Sequence, residues 1–535
     1  MAEMSDSASM PTGPDLRAGY PADRLRDHGM VLGHVDGEPV VLVRRGAVVY
    51  AVQATCPHYG ASLADGIVAG DTIRCPLHHA CFDLSTGRAL RAPALSALAC
   101  YEVERRLDLL VVRGRVDPAP PLAHAALPRR GASPSNVVII GTGAAGTAAA
   151  LELRERGYLG RLTLIGAERD APYDRPNLSK DYLAGTAPEE WLPMVPPSRF
   201  EDHAIRLALG TPVTRIDTMG RTVWLRDGRA FAYDALLLTP GASPLTLQVP
   251  GANLPHVHTL RSLADARALR TRAGSTRTAV VAGGGFIAME AAAALTRRGI
   301  AVHVVSRDEL PMVRALGAAL GMRIRQLHES RGVTFHPRRS LQQIGESAVT
   351  CDDGTRLEAE LVLAAIGVRP NTALAAAAGL VLNKGILVDR FLETSVRGIF
   401  AAGDVARWPD PRTGEPVRFE HWTVAERQGQ TAARNMLGGL QPFEDVPFFW
   451  TEQFETRITY VGHGSQWDRI EVRRDLPPGE WEQRHFLGDV PVGVATIGRD
   501  RVSLSAELAL EQGVAIARGA RRVSAAVTQD AGRAR

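Results

Sequence analysis

Four residues in the first quarter of the chain are of types that bind metal or attack carbonyls, and they come as two mixed pairs. Cys56-Pro-His58 is followed, after sixteen residues, by Cys75-Pro-Leu-His78. Such a set could form a disulfide, hold zinc, activate a thiol or hold an iron–sulfur cluster. Five cysteines in 535 residues is not the framework of a secreted disulfide protein. Zinc sites favour C-x2-4-C or H-x3-5-H pairs rather than mixed ones. A Cys–His nucleophile needs an oxyanion hole, and no signal for one accompanies these residues. Two thiolates on one iron and two imidazoles on the other suit a [2Fe–2S] centre, which this spacing favours: ligands Cys56, His58, Cys75 and His78. His79, next along, is expected to face solvent, and Cys81 to be a small buried residue rather than a ligand.

Two glycine loops carry a second chemistry. Gly141-Thr-Gly143-Ala-Ala-Gly146 follows the apolar run NVVII and opens an alanine-rich helical stretch, and Glu168 closes the next apolar run. In that context GxGxxG reads as a dinucleotide fingerprint: backbone close to a pyrophosphate, a helix N-terminus facing its charge, and a carboxylate for the ribose. The second loop, Gly283-Gly-Gly285-Phe-Ile287-Ala288, has alanine at its third position, which the fingerprint allows. Where an acid would mark NAD, this chain has Ser306-Arg307, a pair that suits a 2′-phosphate and leans to NADPH.

These residues need elements to hold them. The repeated strand–glycine turn–helix–strand unit, near residues 136 and 278, argues for a tandem α/β architecture. Residues 19–116 read as strands, with VVLVRRGAVVYAV as a hairpin around Arg-Gly. A proline-rich stretch at 117–135 reads as a linker able to span roughly 60 Å if polyproline-like. Strand patterns return over residues 444–505. The expected division is a loose 1–18, an all-β domain 19–116, a first dinucleotide domain 136–262 plus 388–443, a second dinucleotide domain 263–387, an α+β domain 444–520 and a loose tail 521–535. A net charge of +4 points to no nucleic-acid partner. No apolar run reaches the length of a membrane span and no signal peptide opens the chain, so a soluble cytoplasmic protein is expected. Only two of 62 basic residues, Lys180 and Lys384, are lysine, so a lysine inside a motif stands out.

The segment GIFAAGDVA, with Gly403-Asp404 before a helix-like run, resembles the flavin-binding Gly-Asp motif of pyridine-nucleotide-dependent flavoprotein reductases. PYDRPNLSKDYL, GTPVTRID, FIAME, EHWTVAERQG and FFWTEQ extend that resemblance from residue 136 to about 505. The resemblance implies FAD on the first loop and NAD(P)H on the second. It implies that Arg175, Lys180, Val213, Asp404, Trp422 and Trp450 lie against FAD and Glu290 near the nicotinamide. The chain departs from the family at Thr239-Pro240-Gly241, where Ala-Thr-Gly is usual. Disulfide reductases of this fold carry CxxxxC beside the flavin, but Cys351 is the only cysteine in this whole part, so a dithiol relay is excluded.

The N-terminal pairs resemble a Rieske ferredoxin. High-potential Rieske proteins carry bridging cysteines where this chain has Ala61 and Leu77, and hydroxyl donors where it has Ala80 and Phe82. With fewer hydrogen bonds to sulfur, the expected potential lies near the low end of the Rieske range, about −150 mV. The whole chain is similar to the Rieske-fused branch of apoptosis-inducing-factor-like flavoproteins and, behind residue 135, to ferredoxin reductases of ring-hydroxylating oxygenase systems. That resemblance implies electron transfer from NAD(P)H through FAD and the cluster to an external acceptor such as an oxygenase, with no side chain needed as acid or base. The Rieske domain is expected to dock near Trp450 and swing to the acceptor. A redox-sensing interaction flavoprotein with slow turnover is the alternative; a homodimer is compatible with either.

Overall fold

The computed structural model describes residues 13–116, 133–462 and 467–517. The proline-rich stretch expected as a linker lies almost wholly outside these residues, as does the tail. The loose N-terminus ends earlier than expected: Leu16 is fully buried and its amide is bonded to the His34 carbonyl.

The N-terminal domain is all-β. A six-stranded antiparallel sheet runs from Tyr20–Pro21 through Leu109–Val116, Cys100–Arg106, Val48–Gln53 and Glu38–Arg45 to Met30–Val35. The expected hairpin forms its middle, with Val40 facing Gln53. A smaller sheet joins Ile67–Ala69, Thr72–Arg74, Cys81–Asp83 and Ala89–Arg91. The first Cys–His loop leaves the large sheet after Gln53. The second connects two strands of the small one, so the two pairs project from separate sheets toward one end.

Behind it stand two parallel sheets of five strands. The first orders Ile205–Ala208, Arg161–Ile165, Asn136–Ile140, Ala235–Leu238 and Ile399–Ala401. The second orders Val257–His258, Leu361–Ala364, Thr278–Ala282, Ala301–Ser306 and Thr334–Pro337. Their central strands are continuous apolar runs because both faces are covered. The pairing of Val257 with Val362 moves the start of the second unit a few residues ahead of the expected boundary. In each sheet the chain order reverses at the strand that leads into the glycine loop, the place where such sheets bind ligands.

Four helices matter for the site: α1 (Ala144–Glu155), α2 (Phe286–Arg297), α3 (Trp422–Met436) and α4 (Asp500–Ala517). α1 and α3 pack closely because Gly429 has no side chain: a Cβ there would lie 2.1 Å from the Ala145 carbonyl. The helix-like run expected after Asp404 is a single 3-10 turn, Gly403–Val405, followed by the strand Ala406–Pro409. Buried Trp408 pairs there with Val417, and the helix begins only at Trp422. The last unit is a five-stranded antiparallel sheet, Phe448–Gln453 to Arg469–Val472, with α4 laid against it. α4 begins inside the stretch read as strands. Among the described residues no helix is long and apolar enough to cross a membrane.

Candidate functional site: a dinucleotide cavity joined to a cysteine–histidine loop pair

A cavity of about 1020 Å³ opens at the reversal point of the first parallel sheet. Gly141, Gly143, Glu168, Arg175, Val213, Asp404 and Trp422 line it. The three glycines do different work. Gly141 has φ +115°, and a Cβ there would lie 2.0 Å from the Thr239 carbonyl. At Gly146 a Cβ would lie 1.9 Å from the Gly141 carbonyl, so this glycine lets helix and loop touch. At Gly143 a Cβ would meet nothing within 4 Å, since that side faces the cavity. Turn, ligand approach and helix packing are the division of labour a pyrophosphate-binding loop requires. The second loop repeats it: Gly283 at φ +127° abuts the Ala365 carbonyl and Gly285 faces open space. Ile287, at the start of α2, reaches the same cavity.

The cavity's polar groups are held from behind. Glu168 accepts from the Tyr173 hydroxyl at 2.6 Å and from Arg175 at 3.1 Å. Asp404 pairs with Arg261 at 2.7 Å. Thr239 donates to the Ile140 and Gly141 carbonyls at 3.0 Å, and Asn371 donates to the Pro240 carbonyl, so the turn that departs from the family sequence still clamps the loop. Sequence reasoning did not single out Arg261; its signal is only the distant Asp404.

Lys180 and Glu290, implied for different nucleotides, form one ion pair of 2.8 Å. Glu290 is buried and also accepts from Ser179 at 2.5 Å and Thr451 at 2.6 Å. Gln453 donates to Thr451, and His328 meets Gln453, extending the network inward. Ser306 is buried with its hydroxyl accepting from the Asp308 amide, while Arg307 is exposed.

At the N-terminal domain the expected ligands converge in two halves. Cys56 and Cys75 are buried and hydrogen-bonded to each other, which pushes the Cys56 thiol up and draws that of Cys75 down. Backbone amides of His58 and Tyr59 point at the Cys56 sulfur, and those of Leu77 and His78 at Cys75. The Nδ1 atoms of His58 and His78 face each other at 3.0 Å. Burial drives His58 down to about 4 and His78 well below its usual range, so both rings are neutral at pH 7. No three such groups converge on one point among the described residues. Two thiols facing and two imidazoles facing fit a binuclear cluster with two ligands at each end better than a single ion. Ala80 and Phe82 are fully buried and offer no hydroxyl. Cys81 is buried in its strand, as expected.

His79 corrects an expectation. It is 0% exposed rather than solvated, with φ +60°, its Nδ1 3.1 Å from Glu507 and its ring stacked 4.1 Å from Phe448. A left-handed backbone of this kind ordinarily favours glycine. Trp450 is not among the residues that line the cavity; its ring lies 4.0 Å from that of His78. The strand Phe448–Gln453 explains both positions, because side chains alternate faces. Phe448 and Trp450 meet the N-terminal domain, while Phe449 packs on Phe286 of α2 and Thr451 bonds Glu290. One strand thus separates the cysteine–histidine loops from the Lys180–Glu290 corner. More contacts close the junction: Tyr59 donates to Asp174, Arg199 to the Leu95 carbonyl, and the Ala92 amide to Gln430.

The site defines a flavin- and pyridine-nucleotide-linked oxidoreductase with a Rieske domain in front. The chain matches the pyridine nucleotide-disulphide oxidoreductase family over residues 135–429 and the Rieske [2Fe-2S] domain over residues 19–102, and it belongs to that oxidoreductase family. FAD and NAD(P)H are the cofactors of the first part and a [2Fe–2S] cluster that of the second. Among its relatives, human apoptosis-inducing factor 3 is 33% identical over 493 residues, which are 89% of this chain and 81% of that one. Rhodocoxin reductase of Rhodococcus erythropolis is 38% identical over 69% of this chain and 88% of its own. The crystal structure of the covalent putidaredoxin reductase–putidaredoxin complex aligns with a TM-score of 0.69 at 33% identity, covering 71% of this chain and 94% of that one.

Proposed function

We propose that this protein draws electron pairs from NAD(P)H and passes them singly, through its own Rieske domain, to an external acceptor of the kind an oxygenase system supplies. The contact between Trp450 and His78 carries this reading. FAD supplies the conversion of a hydride into single electrons, and a [2Fe–2S] cluster carries one electron at a time.

The residues provide place and orientation. Gly141, Gly143 and Gly146 would seat the FAD pyrophosphate, Glu168 the ribose and Asp404 the ribityl chain, while Arg175, Val213 and Trp422 complete the wall. Gly283 and Gly285 would do the same for the nicotinamide nucleotide, with Ile287 at the mouth and Ser306 and Arg307 toward a 2′-phosphate. The Lys180–Glu290 pair fixes charge where the two nucleotides would meet, and Thr451 ties that pair to the strand bearing Trp450. Cys56, His58, Cys75 and His78 would hold the cluster at a low Rieske potential, since Ala80 and Phe82 bring no hydroxyl to it.

Steady-state reduction of cytochrome c by NAD(P)H tests the reading in a Cys75→Ser variant. Flavin bleaching should persist and cytochrome c reduction should vanish; full retained activity would mean that electrons leave elsewhere. Similarity to apoptosis-inducing factor 3 across both domains favours a second reading, a redox-sensing flavoprotein. A long-lived charge-transfer band after NAD(P)H addition, with negligible turnover, would decide for it.

A further inference from the structure

Beside the candidate cluster loops, seven side chains from both domains form a node that is buried at its centre and half-buried at its rim. The Rieske domain contributes Arg74, His79 and Arg91. The reductase contributes Arg427 from α3, Asp445, and Glu507 and Glu511 from α4. Glu507 stands at the centre with 0% exposure. Its carboxylate lies 2.9 Å from Arg427, 3.1 Å from His79 Nδ1, 3.4 Å from Arg74 and 3.6 Å from Arg91. Glu511 pairs with Arg74 at 2.9 Å and Arg91 at 2.5 Å, and Asp445 with Arg91 at 3.3 Å. Arg427 also donates to the carbonyls of His79 and Ala92, both at 3.2 Å.

The charges are complementary across the junction. The Rieske side brings two guanidiniums; the reductase side brings three carboxylates and one guanidinium. Burial alone would push the Glu507 carboxyl up, but Arg427, His79 and Arg91 hold it well below the usual range. A buried ion cluster is no strong source of net stability, because desolvation offsets attraction. It does discriminate between poses: any displaced docking would leave these charges buried without partners. The node also grips the residue beside His78 twice, by ring and by backbone carbonyl.

We infer that Glu507 is a positioning residue: through His79 and Arg427 it holds the Cys75–His79 loop against Phe448 and Trp450 and keeps the Rieske domain docked on its own reductase. The electron-path part of this rests on the function proposed above; the docking part does not. The chain therefore acts as a fixed pair of modules at this junction rather than as a carrier that leaves it.

The test uses the intact holoprotein with Glu507→Ala and, should that variant fold poorly, Glu507→Gln. The amide of Ala92 is fully buried and bonded across the junction to Gln430 at 3.0 Å, so its hydrogen exchange reports undocking. Val41, inside the Rieske sheet between Leu32 and Val52, is the internal control. Removing one partner of a buried ion cluster should speed Ala92 exchange about a hundredfold or more, with Val41 unchanged. KM for NAD(P)H and the flavin bleaching rate should stay the same, while the one-electron output falls at least about tenfold. Glu511→Gln, at the partly exposed rim, should have a smaller effect. Unchanged Ala92 exchange in the variant would overturn the inference, and so would equal acceleration at Ala92 and Val41, which signals general destabilisation. Faster Ala92 exchange with undiminished one-electron output would keep Glu507 as the anchor and count against the electron path instead.

Discussion

Glu426 allows a prediction whose sign and slope follow from its surroundings. It lies one helical turn past Trp422 in α3, is 1% exposed, and one carboxylate oxygen has no hydrogen-bond partner among the described residues. Burial first, and then the charge of Asp174, push its carboxyl well above the ordinary 4.5; Arg427 and a hydrogen bond from Trp422 pull the other way. The folded protein therefore keeps a proton that the unfolded chain releases near pH 4.5. From there up to the folded value the native state binds one extra proton, so stability falls as pH rises, by about 1.4 kcal/mol per pH unit. Below that window both states are protonated, and above it both are ionised, so the loss grows only inside it. Glu426→Gln keeps the shape and cannot ionise. Thermal midpoints of the two holoproteins should coincide near pH 4.5, diverge in favour of glutamine as pH rises, and then run parallel. Comparing midpoint differences avoids assigning one unfolding free energy to a multidomain chain. A wild-type-minus-variant difference that is flat from pH 4.5 to 8 would falsify the argument, because it would mean that Glu426 ionises in the fold as it does in water.

Three further outcomes are expected. Gly146→Ala should cost about 1–3 kcal/mol or more by driving helix from loop, whereas Gly143→Ala should fold normally and lose FAD affinity; melting curves and FAD titration of the apoprotein separate the two. Lys180→Met should destabilise by about 3–5 kcal/mol by stranding buried Glu290, and Glu290→Gln in the same chain should recover part of it in urea denaturation. On the two faces of one strand, Trp450→Leu should slow one-electron output with flavin bleaching intact, and Thr451→Val should cost about 1–3 kcal/mol for the lost bond to Glu290; stopped-flow absorbance and thermal denaturation read each in turn.

What could be read from the amino-acid order is what is encoded locally. A strand, a glycine turn and a helix N-terminus lie within a dozen residues, and the turn's geometry is fixed by which glycines need a positive φ or a bare Cα. Gly141, Gly143 and Gly146 were legible for that reason, and so were the two Cys–His loops, whose cysteines and histidines lie two or three residues apart. The surroundings of His79 were not. Its partner Glu507 is 428 residues away, on a helix that begins where the stretch of strand pattern ends. A positive φ is usually announced by glycine, and a histidine at such a position gives no warning of it. The ring contact of Trp450 with His78 was hidden for a related reason. A family motif marks the strand, yet only the register of that strand in the sheet decides which face each residue takes.

That register is where the two halves of the molecule are joined. Shifting Phe448–Gln453 by one residue would turn Trp450 toward α2 and Thr451 toward the Rieske domain. It would break the Glu290 network and the ring contact with His78 together. The pairing of Phe448 with Val461 and of Gln453 with Thr456 prevents that slip, and buried Phe448 reinforces it. The nucleotide corner and the Rieske contact are therefore not independent features assembled side by side. A single strand fixes both, and Glu507 then needs only to press the Rieske loop onto a face whose geometry the reductase has already set.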